Sequence, residues 1–227
     1  MPIIRMPNHL FILRHGQKEQ GHETSNQQLA LSHFGERQCE SLGKYLRERI
    51  LSLNYMTQPI KVNRFCSTLN RSIITEALAF KEIKDIVTPD PPIVDSRLNE
   101  KSNGIFDELT QQEILKYYPI EAALRKRLGY YDHRPIGGDN GPDMELRVLS
   151  FIADPIFWTS GIVVIYGHGT WIRIFQKLVH GLSVEEFMQL KCEDQAFPNC
   201  GVIEYEREAK GRELPEIVVP WSGIITD

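Results

Sequence analysis

Two arginines and two histidines stand at positions where predicted β-strands end. Arg14 and His15 follow an apolar run and precede Gly16, and His168 follows another apolar run between two glycines. Arg71 lies just after a further predicted strand, at the start of a predicted helix. A planar guanidinium group can donate two parallel hydrogen bonds to the oxygens of one phosphate. An unprotonated imidazole can act as a nucleophile. These residue types are typical of chemistry on a phosphate group.

The elements that must position these side chains alternate along the chain. We predict strands at 9–14, 60–66, the segment GIVVIYGHG, 201–206 and 215–220. We predict helices at 32–53, 70–80, 110–118, 120–128, 142–157 and 170–180. This alternation predicts an α/β fold, a three-layer sandwich whose mostly parallel central sheet carries helices on both faces. Because ligands bind outside the carboxyl ends of such strands, the four side chains should meet at one edge.

Backbone groups at the same edge should contribute to an anion pocket. Helices are predicted to begin directly after two of the strands, and the N-terminus of a helix favours bound anions. Gly16, Gly167 and Gly169 carry no side chain, so the backbone there can approach a ligand closely. We therefore predict a phosphate-binding pocket that includes Gly169.

Length and composition indicate one globular domain. The 227 residues are 41% hydrophobic and 25% charged, with a net charge of −4, which favours a single domain over residues 1–227. A long insertion at about 101–141 separates two strands and contains the predicted helical lid. The acidic balance gives no indication of a nucleic-acid surface, and no apolar run approaches the roughly 20 residues that cross a membrane.

The cysteines and the N-terminus indicate a reducing compartment. The four cysteines show no CxxC spacing, and the first residues lack the pattern of a signal peptide, so we expect a cytoplasmic protein. Neither the cysteines nor the carboxylates form a pattern that would hold a metal. We expect no metal or other cofactor.

The motifs around these residues resemble those of the histidine phosphatase superfamily, the phosphoglycerate mutase-like proteins, and most closely its small broad-specificity phosphatases. The similar stretches occur in the family's order over residues 9–206, and they are LRHG, STLNRSIITEA, DSRLNEKSNG, GDNGPDMELRV and YGHGTWIR. The tripeptide Arg-His-Gly is a weak signal by itself, whereas several motifs in one order are specific.

The resemblance implies a role for each matched residue. His15 would be the nucleophile and would form a phosphohistidine, while Arg14, Arg71 and His168 would hold the phosphoryl oxygens. Glu100, in the stretch that resembles RLNExxxG, would protonate the leaving oxygen and then activate water. His168 thus belongs to both the catalytic and the phosphate-binding group.

The match is incomplete just after the Arg-His-Gly motif. The family usually has Glu, then Ser or Thr, and an Asn six places after the histidine, where this chain has Gln17, Lys18 and Gly21. Lys18, Gly21 and the adjacent His22 are candidate substrate contacts, and Lys18 and His22 are equally typical of exposed loop residues. Asp107 and Glu108 could compete with Glu100 as the acid, although we expect them to begin or cap the next helix.

Three functions remain open at this point. The first is a phosphatase that releases phosphate from a small phosphorylated metabolite. The second is a phosphoglycerate mutase, which would need 2,3-bisphosphoglycerate, and the third is a phosphate- or peptide-binding module without catalysis. The basic, aromatic segment 125–134 fits either a solvated helix face or a lid over the pocket. Trp171 and 187–197 fit either the core or a homodimer interface.

Overall fold

A computed structural model of the chain describes residues 6–19, 29–56, 58–159, 161–192, 197–207 and 218–220. Its centre is a five-stranded sheet formed by β1 (His9–Arg14), β2 (Val62–Cys66), β3 (Ile93–Val94), β4 (Ile162–Gly167) and β5 (Val202–Glu206). The strand order is β3-β2-β4-β1-β5. Strands β1 to β4 run parallel to one another, whereas β5 runs antiparallel to its neighbour β1.

The sheet is buried on both faces because its central strands are apolar at consecutive positions. Leu10 and Ile12 of β1 belong to one hydrophobic core, while Phe11 and Leu13 belong to another on the opposite face. Side chains alternate across a strand, so a run without polar residues must be covered twice. The three-layer α/β sandwich predicted from the sequence is confirmed.

Eight helices surround the sheet. They are α1 (His33–Ser52), α2 (Asn70–Lys81), α3 (Gln111–Tyr117), α4 (Pro119–Asp132), α5 (Gly141–Ile152), α6 (Pro155–Trp158), α7 (Gly169–His180) and α8 (Val184–Cys192), counted over the described ranges. The two hydrophobic cores show where four of these helices lie. Buried residues of α1 and α2 pack on one face of the sheet, and those of α5 and α7 pack on the other face. Short 3₁₀ turns at Ser96–Leu98 and Gly104–Phe106 lead into the inserted segment.

Side-chain caps fix where two of the helices begin. The Ser32 hydroxyl accepts a hydrogen bond from the backbone N–H of Gly35, at the start of α1. Asn140 and Asp143 exchange side-chain to backbone hydrogen bonds at the start of α5. Such caps satisfy N–H groups that have no partner inside the helix.

Two of the predicted helices have clearly different bounds in the structure. The helix predicted at 142–157 is two helices, because Asp154 caps a new helix that begins at Pro155, which has no N–H to continue the preceding one. Helix α4 extends past the predicted end at 128, with a break at Gly129. Of the strand predicted at 215–220, only 218–220 lie within the described residues, where Val218 forms a bridge with Val202.

Trp171, which the sequence assigned to core or interface, lies in the core. Its side chain is fully buried, and its indole N–H donates to the carbonyl oxygen of Arg97 at 2.9 Å. Phe187 and Phe197 belong to the same core. These three side chains are therefore unavailable to a partner.

Candidate active site

The sheet brings three strand ends to one level. In the parallel register, Arg14 lies opposite Gly167, and Cys66 lies opposite Tyr166. The backbone N–H of His15 donates to the Gly167 carbonyl oxygen at 3.1 Å. The residues that follow β1, β2 and β4 are thus neighbours, as the sequence predicted.

His15 and Arg71 are in direct contact. The Nε–H of Arg71 donates to Nε2 of His15 at 3.2 Å, and His15 Nδ1 lies 2.7 Å from the carbonyl oxygen of Gly16. A carbonyl oxygen can only accept, so the proton of a neutral imidazole lies on Nδ1. The lone pair of Nε2 therefore faces the guanidinium of Arg71, on the side where an electrophile held by that arginine would lie.

The surroundings of His15 keep its imidazole neutral. Only 4% of the residue is exposed. Burial, followed by the charges of Arg71 and Arg14, holds the pKa of His15 well below its usual value, while the bond to Gly16 acts in the opposite direction. Desolvation and neighbouring cations both disfavour a protonated histidine. A neutral imidazole, in which one ring nitrogen carries no proton, is the form that can attack phosphorus.

His168 lies beside His15, with the ring centroids 5.1 Å apart. It is fully buried, and its Nε2 lies 2.7 Å from the Ser67 hydroxyl oxygen, which accepts from the backbone N–H of Leu69. Burial, and then the proximity of His15 and Arg71, holds the pKa of His168 well below its usual value. If Ser67 donates its hydrogen to Nε2, the proton of the neutral ring lies on Nδ1.

Among the buried polar atoms that have no hydrogen-bond partner within the described ranges, two belong to the strand-end arginines and histidines. They are Nδ1 of His168 and Nε of Arg14. A Cβ atom placed on Gly169 would lie 3.7 Å from that Arg14 Nε, so the start of α7 lies against the guanidinium. Buried polar groups are almost always paired, and donors left without a partner often mark a binding site. Both atoms belong to residues that the sequence assigned to phosphate binding.

Glu100 reaches the same edge from the loop after the first 3₁₀ turn. Its Oε2 accepts from the backbone N–H of Thr170 at 3.1 Å, and its Oε1 accepts from the N–H of Lys101 at 2.8 Å. Its charge interacts with both Arg14 and Arg71. The structure therefore brings the carboxylate close to Arg14 and Arg71.

Sequence reasoning missed the side chains that hold the Glu100 loop in place. Arg147 Nη2 donates to the carbonyl oxygens of Asn99 and Glu100 at 3.1 and 3.3 Å. Thr68 donates from its backbone and its hydroxyl to Oδ1 of Asn99. Arg147 lies inside the stretch GDNGPDMELRV, so that motif was the available signal.

Of the three glycines predicted to permit close backbone approach, Gly16 is required by packing. A Cβ atom there would lie 2.8 Å from the Gly35 carbonyl oxygen and 2.9 Å from the Cys39 sulfur. At Gly167 and Gly169, the nearest atoms would be at ordinary contact distance. Gly16 thus lets the loop after β1 pack directly on the start of α1.

Lys18 lies at the rim of the cluster. The residue is exposed overall. Burial of part of its side chain, and then the positive charges of Arg71 and Arg14, lower the pKa of Lys18, while Asp107 opposes this shift. The candidate contacts Gly21 and His22 lie outside the described residues.

The expectation that Asp107 and Glu108 begin or cap the next helix is wrong. Thr110 caps α3 instead, in a reciprocal pair with Glu113. The Asp107 carboxylate accepts from the Ser102 hydroxyl at 2.9 Å and from the Asn103 N–H at 3.1 Å. It therefore stabilises the loop that follows Glu100.

A cavity of about 540 Å³ opens beside Arg71 and Glu100. The inserted segment forms much of its wall, and basic and acidic side chains line it together: Arg71, Lys101, Arg147, Glu100, Asp107 and Glu108. The mixed charge suits a small polar ligand better than an apolar one.

The basic segment 125–134 combines the two roles considered for it, a solvated helix face and a lid over the pocket. Lys126 and Arg127 are exposed, as on a solvated helix face. Tyr131 and His133 are buried, and Tyr130 lies 3.1 Å from the Thr170 hydroxyl, at the start of α7. One side of the segment therefore packs against the site.

We expect a pH dependence of stability from the two neutral histidines. In the unfolded chain, histidines bind protons as pH falls below about 6.5, whereas His15 and His168 in the fold resist protonation. Their contribution is fully present above that pH and is lost as pH falls through and below it. Each can add up to about 1.4 kcal/mol per pH unit to the slope. Urea unfolding at several pH values should show a shallower slope for His15→Ala than for wild type, and equal slopes would contradict this account.

The described residues form neither a metal-binding cluster nor a membrane-spanning helix. Among the described residues, no group of three or more His, Cys, Asp or Glu side chains could hold a metal ion. None of the helices in the described ranges is long and apolar enough to span a bilayer.

Comparison with curated sequences finds 6-phosphofructo-2-kinase/fructose-2,6-bisphosphatase 3 of Homo sapiens and of Pongo abelii. Each is 28% identical to this chain over 196 residues, which is 85% of the chain. The match covers 33% of the human protein and 34% of the orangutan protein. The chain thus spans about a third of the length of these relatives.

Comparison with solved structures finds phosphatases of the same fold. A mycobacterial glucosyl-3-phosphoglycerate phosphatase with inorganic phosphate is 22% identical with a TM-score of 0.61, and the match covers 87% of this chain and 88% of that one. The alpha-ribazole phosphatase from Shigella flexneri is 15% identical with a TM-score of 0.69, covering 93% and 96%. At identities of 22% and 15%, the similarity shows that these proteins share the fold of this chain and shows no more than that.

A family model matches nearly the whole chain. The model describes the histidine phosphatase superfamily, branch 1, and it matches residues 10–219. This confirms the family that the motifs indicated and, at the level of the family, the prediction of a phosphatase-type hydrolase. With its motifs, its fold and this match in agreement, the chain belongs to the histidine phosphatase superfamily, branch 1.

Proposed function

We propose that the protein is a metal-independent phosphomonoesterase that hydrolyses a small phosphorylated metabolite through a phosphohistidine on His15. One observation carries the proposal: the neutral His15 ring directs its Nε2 lone pair at the Arg71 guanidinium while Nδ1 is held by Gly16. A phosphoryl group bound by Arg71 would therefore lie next to the nucleophilic nitrogen. The mixed charge of the cavity supports a small polar substrate.

The proposed reaction has two transfers. In the first, Nε2 of His15 bonds to phosphorus, the ester P–O bond breaks, and Glu100 gives its proton to the leaving oxygen. In the second, Glu100 takes a proton from water, whose oxygen bonds to phosphorus as the P–N bond breaks and inorganic phosphate leaves. Arg14, Arg71 and His168 donate hydrogen bonds to the phosphoryl oxygens, where fixed donors stabilise the developing charge.

Substitution Glu100→Gln tests the role of the acid. An amide cannot protonate the leaving oxygen, so esters with poor leaving groups, such as glycerol phosphate, should slow by about 10²-fold or more. p-Nitrophenyl phosphate needs little protonation, so its burst of nitrophenolate should remain close to that of wild type. Equal, small losses on both esters would place the acid elsewhere, with Asp107 and Glu108 the next residues to test.

Removal of metal ions tests the proposed independence from cofactors. The positive field at the proposed phosphoryl site comes from Arg14 and Arg71, with the backbone at the start of α7 beside them. Exhaustive dialysis against a chelator should therefore leave kcat/KM unchanged. Loss of activity on chelation and its recovery with magnesium or zinc would refute this part of the proposal.

A panel of phosphorylated metabolites, assayed for inorganic phosphate, tests the function as a whole. The panel includes fructose 2,6-bisphosphate and glucosyl-3-phosphoglycerate, because proteins similar to this chain are named as phosphatases of these two compounds. We expect phosphate release from at least one compound, without a requirement for 2,3-bisphosphoglycerate. Interconversion of phosphoglycerates that requires this cofactor would indicate a mutase, and binding without turnover would indicate a non-catalytic module.

A further inference from the structure

A closed set of contacts surrounds Glu100 and includes the side chain of Tyr130, which lies on α4. The Tyr130 hydroxyl lies 3.1 Å from the Thr170 hydroxyl oxygen, and the N–H of Thr170 donates to Glu100 at 3.1 Å. On the other side, the N–H of Lys101 donates to Glu100 at 2.8 Å, and the Lys101 ammonium lies 4.4 Å from the centre of the Tyr130 ring. Tyr130 therefore contacts both residues whose backbone N–H groups hold the carboxylate.

The break in α4 separates Tyr130 from the exposed part of the helix. Gly129 has φ 81° and ψ 172°, a conformation that a residue with a side chain rarely adopts. Leu128 before it is exposed, whereas Tyr131 after it is buried against Phe187 and within 2.6 Å of the Glu145 carboxylate. Tyr131 thus anchors this part of the segment, next to Tyr130.

The Tyr130 hydroxyl keeps its hydrogen at neutral pH. Burial is the main cause that raises the pKa of Tyr130 to about 12. The phenol can therefore donate to Thr170 or accept from it at neutral pH. The Lys101 ammonium is largely buried and lies over the ring face, where a desolvated cation and an aromatic ring attract each other.

We propose that Tyr130 is a positioning residue that connects the inserted segment to the general acid. It acts by fixing Thr170 and Lys101, and through their backbone N–H groups it fixes the direction of the Glu100 carboxyl group. This inference rests on the proposed function, since it assigns Glu100 the protonation of the leaving oxygen. It also gives the inserted segment a role in the chemistry, in addition to shaping the cavity.

Substitution Tyr130→Phe tests the proposal with little change in packing. It removes the hydroxyl and keeps the ring over Lys101. We expect kcat for glycerol phosphate to fall about three- to tenfold, as for the loss of one hydrogen bond that positions a group in the transition state. KM and the nitrophenolate burst from p-nitrophenyl phosphate should change less than about twofold. A uniform loss on both esters would show a merely structural role and overturn the proposal.

Two further variants complete the test. Tyr131→Phe is the control, because it removes a hydroxyl that is hydrogen-bonded to Glu145 and not to the site. It should leave the ratio of kcat for glycerol phosphate to the nitrophenolate burst unchanged. Thr170→Val removes the partner hydroxyl and keeps the N–H that binds Glu100. Its kcat for glycerol phosphate should fall as much as that of Tyr130→Phe, and the double variant should be no slower than either single variant. If the two losses multiply in the double variant, the two hydroxyls act independently, and the proposal is contradicted.

The same assays separate this inference from the proposed function. If Glu100→Gln slows glycerol phosphate selectively and Tyr130→Phe does not, the acid is correctly assigned and only the role of Tyr130 fails. If Glu100→Gln shows no selectivity, the assignment of the acid fails, and the inference about Tyr130 falls with it.

Discussion

Replacement of His15 by alanine is expected to reduce turnover of every phosphomonoester by at least about 10⁴-fold, as the loss of a covalent nucleophile does in other enzymes. The reason is geometric as well as chemical. The imidazole is held between Gly16 and Arg71, and this contact directs the lone pair of its Nε2 at the guanidinium proposed to bind the phosphoryl group. The measurement is kcat for p-nitrophenyl phosphate and for the best substrate of the metabolite panel.

The control for His15→Ala is His33→Ala. The side chain of His33 is 99% exposed at the start of α1, so its removal should leave kcat unchanged. Circular dichroism and the unfolding midpoint at pH 7.5 should show that His15→Ala remains folded. A folded His15→Ala protein that retains more than about a hundredth of the wild-type rate would exclude His15 as the nucleophile.

Replacement of Arg71 by lysine should reduce kcat/KM by about 10²-fold or more. The substitution keeps a positive charge, but it loses the planar pair of donors and the Nε–H that faces His15. Loss of one preorganised donor to the transition state commonly has an effect of this size. The comparison is with Arg47→Lys, whose guanidinium pairs with Asp85 on the surface, and which should retain wild-type activity.

Inhibition by vanadate gives a second measure of Arg71. Vanadate can adopt the geometry of a phosphoryl group in transfer, so it should inhibit wild type and the Arg47→Lys control equally. It should inhibit Arg71→Lys at least about tenfold more weakly, because the paired donors contribute to its binding. Equal inhibition of all three proteins would place Arg71 outside the phosphoryl site.

The sheet was predictable because its strands are apolar at consecutive positions. Runs such as FIL before Arg14 and IVVIY before Gly167 can be buried only in a sheet covered on both faces. Strands of this kind meet at their carboxyl ends, so the proximity of Arg14, His15, Arg71 and His168 follows from the order of elements. Glu100 was found by a different route, through the resemblance of its loop to a family motif.

The supports of the site were not predictable, because they depend on contacts between distant segments. Arg147 lies on α5 and binds carbonyl oxygens of the loop at Asn99, a pairing that no local pattern encodes. Thr170 contributes its backbone N–H to Glu100, and every residue except proline has this group. Sequence reasoning identifies side chains with unusual chemistry, and it overlooks ordinary groups that packing places at the site.

The division of the segment 125–134 into an exposed part and a buried part could not be predicted, for a related reason. The segment from Arg125 to Arg134 contains both basic and aromatic residues, and this composition alone fits both a solvated face and a lid. The break at Gly129 determines which side chains face inward, since it changes the direction of the chain after Leu128. Gly129, directly after the helix predicted to end at 128, was the available signal, but its φ value depends on how the segment packs.

Trapping of the phosphoenzyme tests the central claim most directly. Wild type and His15→Ala are mixed with p-nitrophenyl phosphate, denatured in alkali within the first turnover, digested and analysed by mass spectrometry. Our account predicts one phosphorylated peptide in wild type, with the phosphate on His15, stable in alkali and lost in acid, and none in His15→Ala. Phosphate on another residue, or the same modified peptide in both proteins, would contradict it.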